Sequence, residues 1–190
     1  LNDRFLVARR AAAEWDRVAW WELNGLHSAF VTSGIQWVVL KGVGYLAAGL
    51  PPGHGRRVAD VDILVADPDL GKAERVHHEH GWDFPTLDPY NERFYRDWMH
   101  ELPRMVHRER STIVDLHHAI LPRTSRLHPS TDRLLNRAIE VGPGVRVLCP
   151  SHMILHAAAH LFHDGEVAGA IRDIVDLDTL LRCFSRNDDF

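Results

Sequence analysis

The chain has 190 residues, of which 45% are hydrophobic and 25% are charged. This composition is typical of a folded globular protein and excludes extensive disorder. The formal net charge of −4, with acidic and basic residues interleaved, excludes a broad cationic face for nucleic acid. The two cysteines, Cys149 and Cys183, are too few for a disulfide framework or a zinc cluster.

The sequence predicts a cytoplasmic protein with no membrane partner. No apolar run reaches the roughly 18 residues that a membrane-spanning helix needs. The N-terminal stretch carries Arg9, Arg10 and Glu14 among its apolar positions, which does not fit a signal peptide.

Helical and extended patterns alternate over the first half of the chain. Apolar spacing separates helices from strands, and Pro and Gly mark the loops. The predicted elements are one or two helices from Asp3 to about Phe30, a buried strand over 35–40, a helix from Lys41 to about Gly49, a loop over 50–57, a strand over Asp60–Val65 and a helix from Asp67 to near Gly81.

The second half begins with a predicted hairpin and then becomes helical. Strands over 102–107 and 112–117 flank the polar turn 108–111. A short helix over 132–139, a Gly-Pro-Gly turn and a helical tail over 151–184 follow. We therefore predict an α/β (α+β) fold with a mixed β-sheet flanked by helices. Its expected parts are N-terminal helices (1–33), a catalytic core (34–122) and a mainly helical C-terminal subdomain (123–190).

Asp60 and Asp62 are the first candidates for chemistry. Side chains alternate along a strand, so residues two apart share a face. Two carboxylates 4 Å apart repel by about 4 kcal/mol at an effective dielectric of about 20. A divalent cation relieves that repulsion, and Mg²⁺ suits carboxylate, water and phosphate ligands. The pair predicts phosphoryl or nucleotidyl transfer, with the solvated face of an amphipathic strand as the alternative.

Two further features support phosphate chemistry. Asp115, in the strand over 112–117, could join the first two acids and allow two metals about 3.5 to 4 Å apart. Lys41 and Gly42 lie where a strand turns into a helix N-terminus, whose backbone amides bind phosphate oxygens.

These motifs, in this order, resemble the nucleotidyltransferase superfamily that includes polymerase beta. Within it, they resemble the bacterial group NTP_transf_5, over about residues 30 to 182. The matching blocks are Leu40-Lys41-Gly42, then Arg57 to Val65, then Val114-Asp115-Leu116-His117, and finally Pro150 to His160 with Arg172-Asp173 and Asp176-Leu177 beyond it.

The resemblance implies a nucleotidyltransferase-type sheet and a role for each motif residue. Asp60 and Asp62 would hold Mg²⁺ or Mn²⁺, and Asp115 would complete the metal-binding triad and help to activate the acceptor. The implied partners are an NTP such as ATP and an unidentified small molecule, protein or RNA as acceptor. Gly42 would permit close approach of the phosphates, and Lys41 and Arg57 would neutralise their charge.

One departure from the superfamily motivates an alternative function. Gly42 is followed by Val43, whereas the superfamily commonly has Gly-Ser, so a serine hydroxyl on the triphosphate is missing. The alternative is a catalytically inactive module of the same fold that binds a nucleotide or a protein.

Three other residues are candidates for substrate contact or for support of the acids. His117 follows the third acid on the same face of its strand and could orient a carboxylate or contact substrate. Arg172 and Asp173 could equally form ion pairs on a helix surface, and only the family resemblance favours a functional role for them.

Four histidines form a stripe on one predicted helix. They indicate either the boundary of a packed helix or a second metal site, because His at i and i+4 can share an ion. His163-Asp164 with Asp173 also faintly resembles an HD-type metal phosphohydrolase, which is a further alternative. The stripe consists of His152, His156, His160 and His163.

Overall fold

A mixed seven-stranded sheet flanked by helices forms the centre of the protein, as the sequence predicts. The structure is a computed structural model, and it describes residues 2–55, 57, 59–163 and 167–185. The strands are β1 (Trp37–Val39), β2 (Asp60–Val65), β3 (Trp82–Asp83), β4 (Met105–His107), β5 (Ile113–His117), β6 (Ile139–Gly142) and β7 (Val145–Val147).

The helices lie before, between and after these strands. None of those described combines the length and the apolarity needed to cross a bilayer. They are α1 (Asn2–Phe30), α2 (Lys41–Ala47), α3 (Leu70–Glu79), α4 (Pro89–Trp98), α5 (Thr131–Asn136), α6 (Pro150–His163) and α7 (Val167–Phe184), with short 3₁₀ turns at Pro51–Gly53 and Asp67–Asp69.

The strand β2 lies in the middle of the sheet, whose order is β3-β4-β5-β2-β1-β7-β6. It pairs antiparallel with β1 and parallel with β5. Val61, Ile63, Leu64 and Val65 are buried although successive side chains of a strand point to opposite faces of the sheet. The polar residues of β2 are therefore the exceptions in an apolar segment, and they mark where the site lies.

The first helix is a single element that packs on the sheet through its C-terminal half. Leu23, Leu26 and Phe30 are buried in the core. The carboxylate of Glu22, which is only 2% exposed, accepts two hydrogen bonds of 2.9 Å from the guanidinium of Arg110. This ion pair attaches α1 to the turn between β4 and β5.

The predicted hairpin is present but shorter than expected. The strand β4 begins at Met105 rather than at Leu102, because Pro103 has no N–H to donate to the ladder. Leu102 still donates to the carbonyl of Leu116 at 2.9 Å, and Glu101 forms an isolated antiparallel bridge with His117. The segment before β4 is thus held against β5.

Two parts of the chain differ from the prediction. Residues 82–98, for which the sequence predicts no element, hold β3 and α4. The helix predicted over 132–139 ends at Asn136, and Ile139 begins β6. This second prediction was wrong because β7 pairs with β1 and brings β6 into the sheet, a long-range contact with no local signal. The division into three parts stays a prediction.

Candidate active site

The three predicted acids lie on two adjacent parallel strands. Asp62 is the register partner of Asp115, and Asp60 is the partner of Ile113. Neighbouring strands are about 4.8 Å apart and paired residues point to the same face. Asp62 and Asp115 are 6% and 4% exposed, whereas Asp60 at the strand end is half-buried. The site is therefore a row of carboxylates that opens to solvent at Asp60.

One oxygen of Asp62 is held by two neighbouring side chains. Its Oδ1 lies 2.9 Å from Nζ of Lys41 and 3.0 Å from Nε2 of His117. Burial alone would raise the pKa of Asp62, but Lys41 and His117 hold it well below its usual range. Asp62 is therefore a fixed anion, and its Oδ1 is already engaged by protein groups.

Asp115 has a different electrostatic environment. Burial, together with the charge of Asp62, raises the pKa of Asp115 to about 7. Burial and Asp62 also raise the pKa of Asp60. In the described part of the chain, Oδ1 of Asp115 is buried and has no hydrogen-bond partner. Protein groups thus offset little of the negative charge of the Asp115 carboxylate.

An arginine that the sequence analysis did not select lies between two of the acids. Nη2 of Arg104 lies 3.7 Å from Oδ2 of Asp60, and its Nε lies 3.5 Å from Oδ2 of Asp115. The Arg104 side chain is 65% exposed, so solvent screens these contacts. Arg104 is the solvent-facing countercharge of the row.

The carboxylates fit a hard divalent cation. Oxygen ligands suit Mg²⁺, and such an ion would satisfy the orphaned Oδ1 of Asp115 and relieve the repulsion that raises its pKa. The three acids do not form a group whose ligand atoms all lie within 4.8 Å of one another; among the described residues, His100, Glu101 and His117 do.

The lysine of the predicted phosphate loop has an unusual backbone. Lys41 has φ of 46°, in the left-handed region that side chains other than glycine rarely adopt. Such conformations cluster at functional sites, where the surrounding structure maintains them. Burial tends to lower the pKa of Lys41, but the carboxylate of Asp62 overcomes this and raises it. A lysine with a strained backbone and a raised pKa thus faces the acids.

Some of the other predicted site residues line a cavity beside Lys41. Gly42 and Asp173 line it together with Lys41, as do Tyr45 and Asp176. Two predicted residues are not brought there. Arg172 is exposed on α7, and Arg57 is exposed in the loop before β2; neither lines this cavity.

Three histidines of the stripe on α6 lie near Lys41. His156 is buried, and burial lowers its pKa well below the usual value. His160 and His163 line a small cavity together with His156, His100 and Lys41. Asp164, the second residue of the HD-type pair, lies outside the described residues.

Two functional candidates, His100 and Glu101, had no signal in the sequence. Oε2 of Glu101 lies 3.2 Å from Nε2 of His117. They precede β4 in an irregular segment without a motif. Their relation to the acids appears only because Glu101 pairs with His117 across the sheet.

Comparison with known proteins assigns the family. Residues 1–190 match the family NTP_transf_5, described as uncharacterised nucleotidyltransferase. The chain belongs to this family. It is accordingly a transferase, and the resemblance inferred from the motif residues is confirmed. No curated protein matches the sequence.

Two solved structures share the fold of this nucleotidyltransferase. One is the antibiotic-resistance factor ANT(2'')-Ia, with a TM-score of 0.56 and 12% identity, covering 85% of this chain and 81% of that protein. The other is the lincosamide antibiotic adenylyltransferase LnuA bound to lincomycin, with a TM-score of 0.53 and 15% identity, covering 84% and 96%. At these identities the likeness concerns the fold.

Proposed function

We propose that the protein transfers a nucleoside monophosphate from an NTP to an acceptor, using Mg²⁺ or Mn²⁺ held by Asp60, Asp62 and Asp115. The observation that carries the proposal is the register pairing of Asp62 with Asp115, with Asp60 on the same face. A row of carboxylates in an otherwise apolar sheet is costly without a cation. Membership of a nucleotidyltransferase family supplies the reaction class.

Asp62 and Asp115 would have different roles in the reaction, because their surroundings differ. A bound divalent ion would neutralise the triphosphate and polarise its α-phosphate. Asp62 stays ionised and would anchor that ion, because Lys41 and His117 fix its orientation. Asp115, whose buried Oδ1 has no hydrogen-bond partner in the described part of the chain, would take the proton of the acceptor hydroxyl as the hydroxyl oxygen attacks the α-phosphorus. Pyrophosphate would leave as the bond between the α-phosphorus and the oxygen that bridges it to the β-phosphate breaks.

Lys41, Gly42 and Arg104 would bind the nucleotide. Lys41 and Gly42 line the same cavity, and the ammonium of Lys41 also contacts Asp62, so phosphate groups bound there would lie near the acids. Arg104 is exposed enough to turn from Asp60 and Asp115 towards phosphate oxygens. ATP is the first nucleotide to test, because LnuA is an adenylyltransferase.

The test is transfer of label from α-³²P ATP, CTP, GTP or UTP, with Mg²⁺ or Mn²⁺ and a desalted pool of small molecules. We expect pyrophosphate release and a labelled product separable by chromatography. Asp60→Asn and Asp62→Asn should abolish both signals. Asp97→Asn is the matched control, because Asp97 is exposed on α4 and should leave the rate unchanged. A rate that survives Asp62→Asn contradicts the proposal.

The same samples distinguish the proposed enzyme from a catalytically inactive binding module. That alternative is motivated by Val43, which follows Gly42 where the superfamily commonly has serine. Nucleotide binding measured by equilibrium dialysis, without pyrophosphate release in any acceptor pool, would favour it and reject the enzyme.

A further inference from the structure

A second group of metal-ligating side chains adjoins the aspartates but is distinct from them. One ligand atom from each of His100, Glu101 and His117 lies within 4.8 Å of the others. The ring centroids of His100 and His117 are 5.4 Å apart. Two imidazoles and one carboxylate suit zinc and other borderline transition-metal ions, whereas Mg²⁺ prefers oxygen ligands alone.

The backbone fixes the two segments that carry these ligands. Glu101 bridges His117 in antiparallel fashion, and the carbonyl of His100 accepts hydrogen bonds from the N–H groups of His118 (2.9 Å) and Ala119 (3.2 Å). These backbone contacts hold the segment of His100 and Glu101 against the end of β5. Preorganisation of this kind is what a metal site requires.

The spacing of two of the ligand atoms already matches a metal ion. Nε2 of His117 and Oε2 of Glu101 are 3.2 Å apart. Two ligands at about 2.1 Å from a tetrahedral zinc ion are about 3.4 Å apart. An ion can therefore sit between them with a shift of only a few tenths of an ångström.

Nε2 of His117 faces two carboxylates. The ring is fully buried, and its Nε2 faces carboxylate oxygens of both Asp62 and Glu101. Its Nδ1 has no hydrogen-bond partner in the described part of the chain. A cation beside Nε2 would contact both the imidazole and the Glu101 carboxylate.

The surroundings also favour a cation. The carboxylates of Asp62 and Glu101 both face Nε2 of His117, at 3.0 and 3.2 Å, and so place negative charge beside the ligand group. His100 also lines the small cavity that His156, His160 and His163 border, so the group adjoins open space.

We propose that His100, Glu101 and His117 form a zinc site separate from the carboxylate row. Three protein ligands leave a fourth coordination position for water or another small ligand. The nearness of His117 to Asp62 connects this site to the candidate active site, and zinc binding would draw the imidazole away from the Asp62 carboxylate.

The test is Zn²⁺ binding by equilibrium dialysis and calorimetry, in excess Mg²⁺ and without nucleotide. We expect one zinc ion per chain. His100→Ala and Glu101→Gln should weaken its binding by more than the roughly 10- to 100-fold typical of an outer-shell change. Bound Co²⁺ should show the visible absorption of a tetrahedral nitrogen and oxygen site, and the two variants should lose it.

Two controls separate this site from other histidines and from the aspartates. His78→Ala removes an exposed histidine that lies 2.5 Å from the Asp83 carboxylate, and it should leave zinc affinity unchanged. Asp60→Asn should also leave it unchanged, although it abolishes the proposed transfer reaction. Unaltered zinc affinity in both His100→Ala and Glu101→Gln would overturn the site, as would a zinc ion lost with Asp60→Asn. Glu101→Gln preserves shape, so a folding defect in His100→Ala does not obscure the result.

Discussion

Nε2 of His117 lies 3.0 Å from Oδ1 of Asp62, the oxygen that also contacts Lys41. His117 has no exposed surface and Asp62 has little, so water cannot replace either partner. Removal of one member of such a pair costs its hydrogen bond and leaves a buried polar group behind. The contact should thus contribute both to stability and to the orientation of the carboxylate.

A double-mutant cycle with His117→Leu and Asp62→Asn measures that contact. We expect a coupling free energy of about 1 to 3 kcal/mol in urea unfolding, with metal removed by chelation, since bonds to buried charged groups are worth about this much. Strictly additive effects would mean that the two side chains do not interact in the folded protein.

Arg104 should compete with a divalent cation for the acids. Its guanidinium lies within 3.7 Å of Asp60 and 3.5 Å of Asp115. We expect Arg104→Ala to bind Mn²⁺ up to about fivefold more tightly without nucleotide, because an exposed ion pair is worth about 1 kcal/mol or less. The free Mn²⁺ signal in electron paramagnetic resonance measures this affinity. Arg93→Ala removes an exposed charge on α4 and should have a smaller effect; equal effects would exclude a specific role for Arg104.

The backbone of Lys41 is strained, and glycine at this position would relieve the strain. Its φ of 46° disfavours any residue with a Cβ. Both Lys41→Gly and Lys41→Ala remove the ammonium that contacts Asp62, so both should lose nucleotide binding. We expect Lys41→Gly to be the more stable of the two, by up to about 1 kcal/mol in chemical unfolding. Ala48→Gly, at φ of −78°, should give no such gain. If Lys41→Ala is as stable as Lys41→Gly, the backbone at this position is not strained.

His77 should make the fold sensitive to acid. It is 1% exposed, lies against Phe30 and Trp82, and its Nδ1 lies 2.8 Å from the carbonyl of Ala73. Burial lowers the pKa of His77 from 6.5 to about 4, so between these values the unfolded chain binds more protons than the folded one. Stability should therefore fall as pH is lowered from 6.5 towards 4, by up to about 3 kcal/mol from this residue.

Unfolding free energies of His77→Leu across that pH range measure this effect. The variant should show a shallower loss of stability than the unmodified protein. His128→Gln removes an exposed imidazole and should leave the slope unchanged. An unaltered slope in His77→Leu would assign the acid sensitivity elsewhere, for instance to His118, whose pKa burial also lowers to about 4.

Much of the site follows from local pattern in the sequence. Strand periodicity alone puts Asp60 and Asp62 on one face, because side chains alternate at every residue. The order of the motifs around Lys41, Asp62 and Asp115 was enough to identify the family. The roles of these residues stay a proposal, since their chemistry depends on groups that no motif contains.

The tertiary structure decided which groups surround the acids. The parallel pairing of β2 with β5 brings Asp115 beside Asp62, and the antiparallel bridge from Glu101 brings His100 and Glu101 to His117. Arg104 reaches the row because its segment runs beside β5. Such contacts join residues far apart in the chain, and burial of apolar area selects them over alternative pairings. The sequence by itself therefore determined the acids and their periodicity, whereas only the assembled sheet determined their neighbours and so the pKa of Asp115.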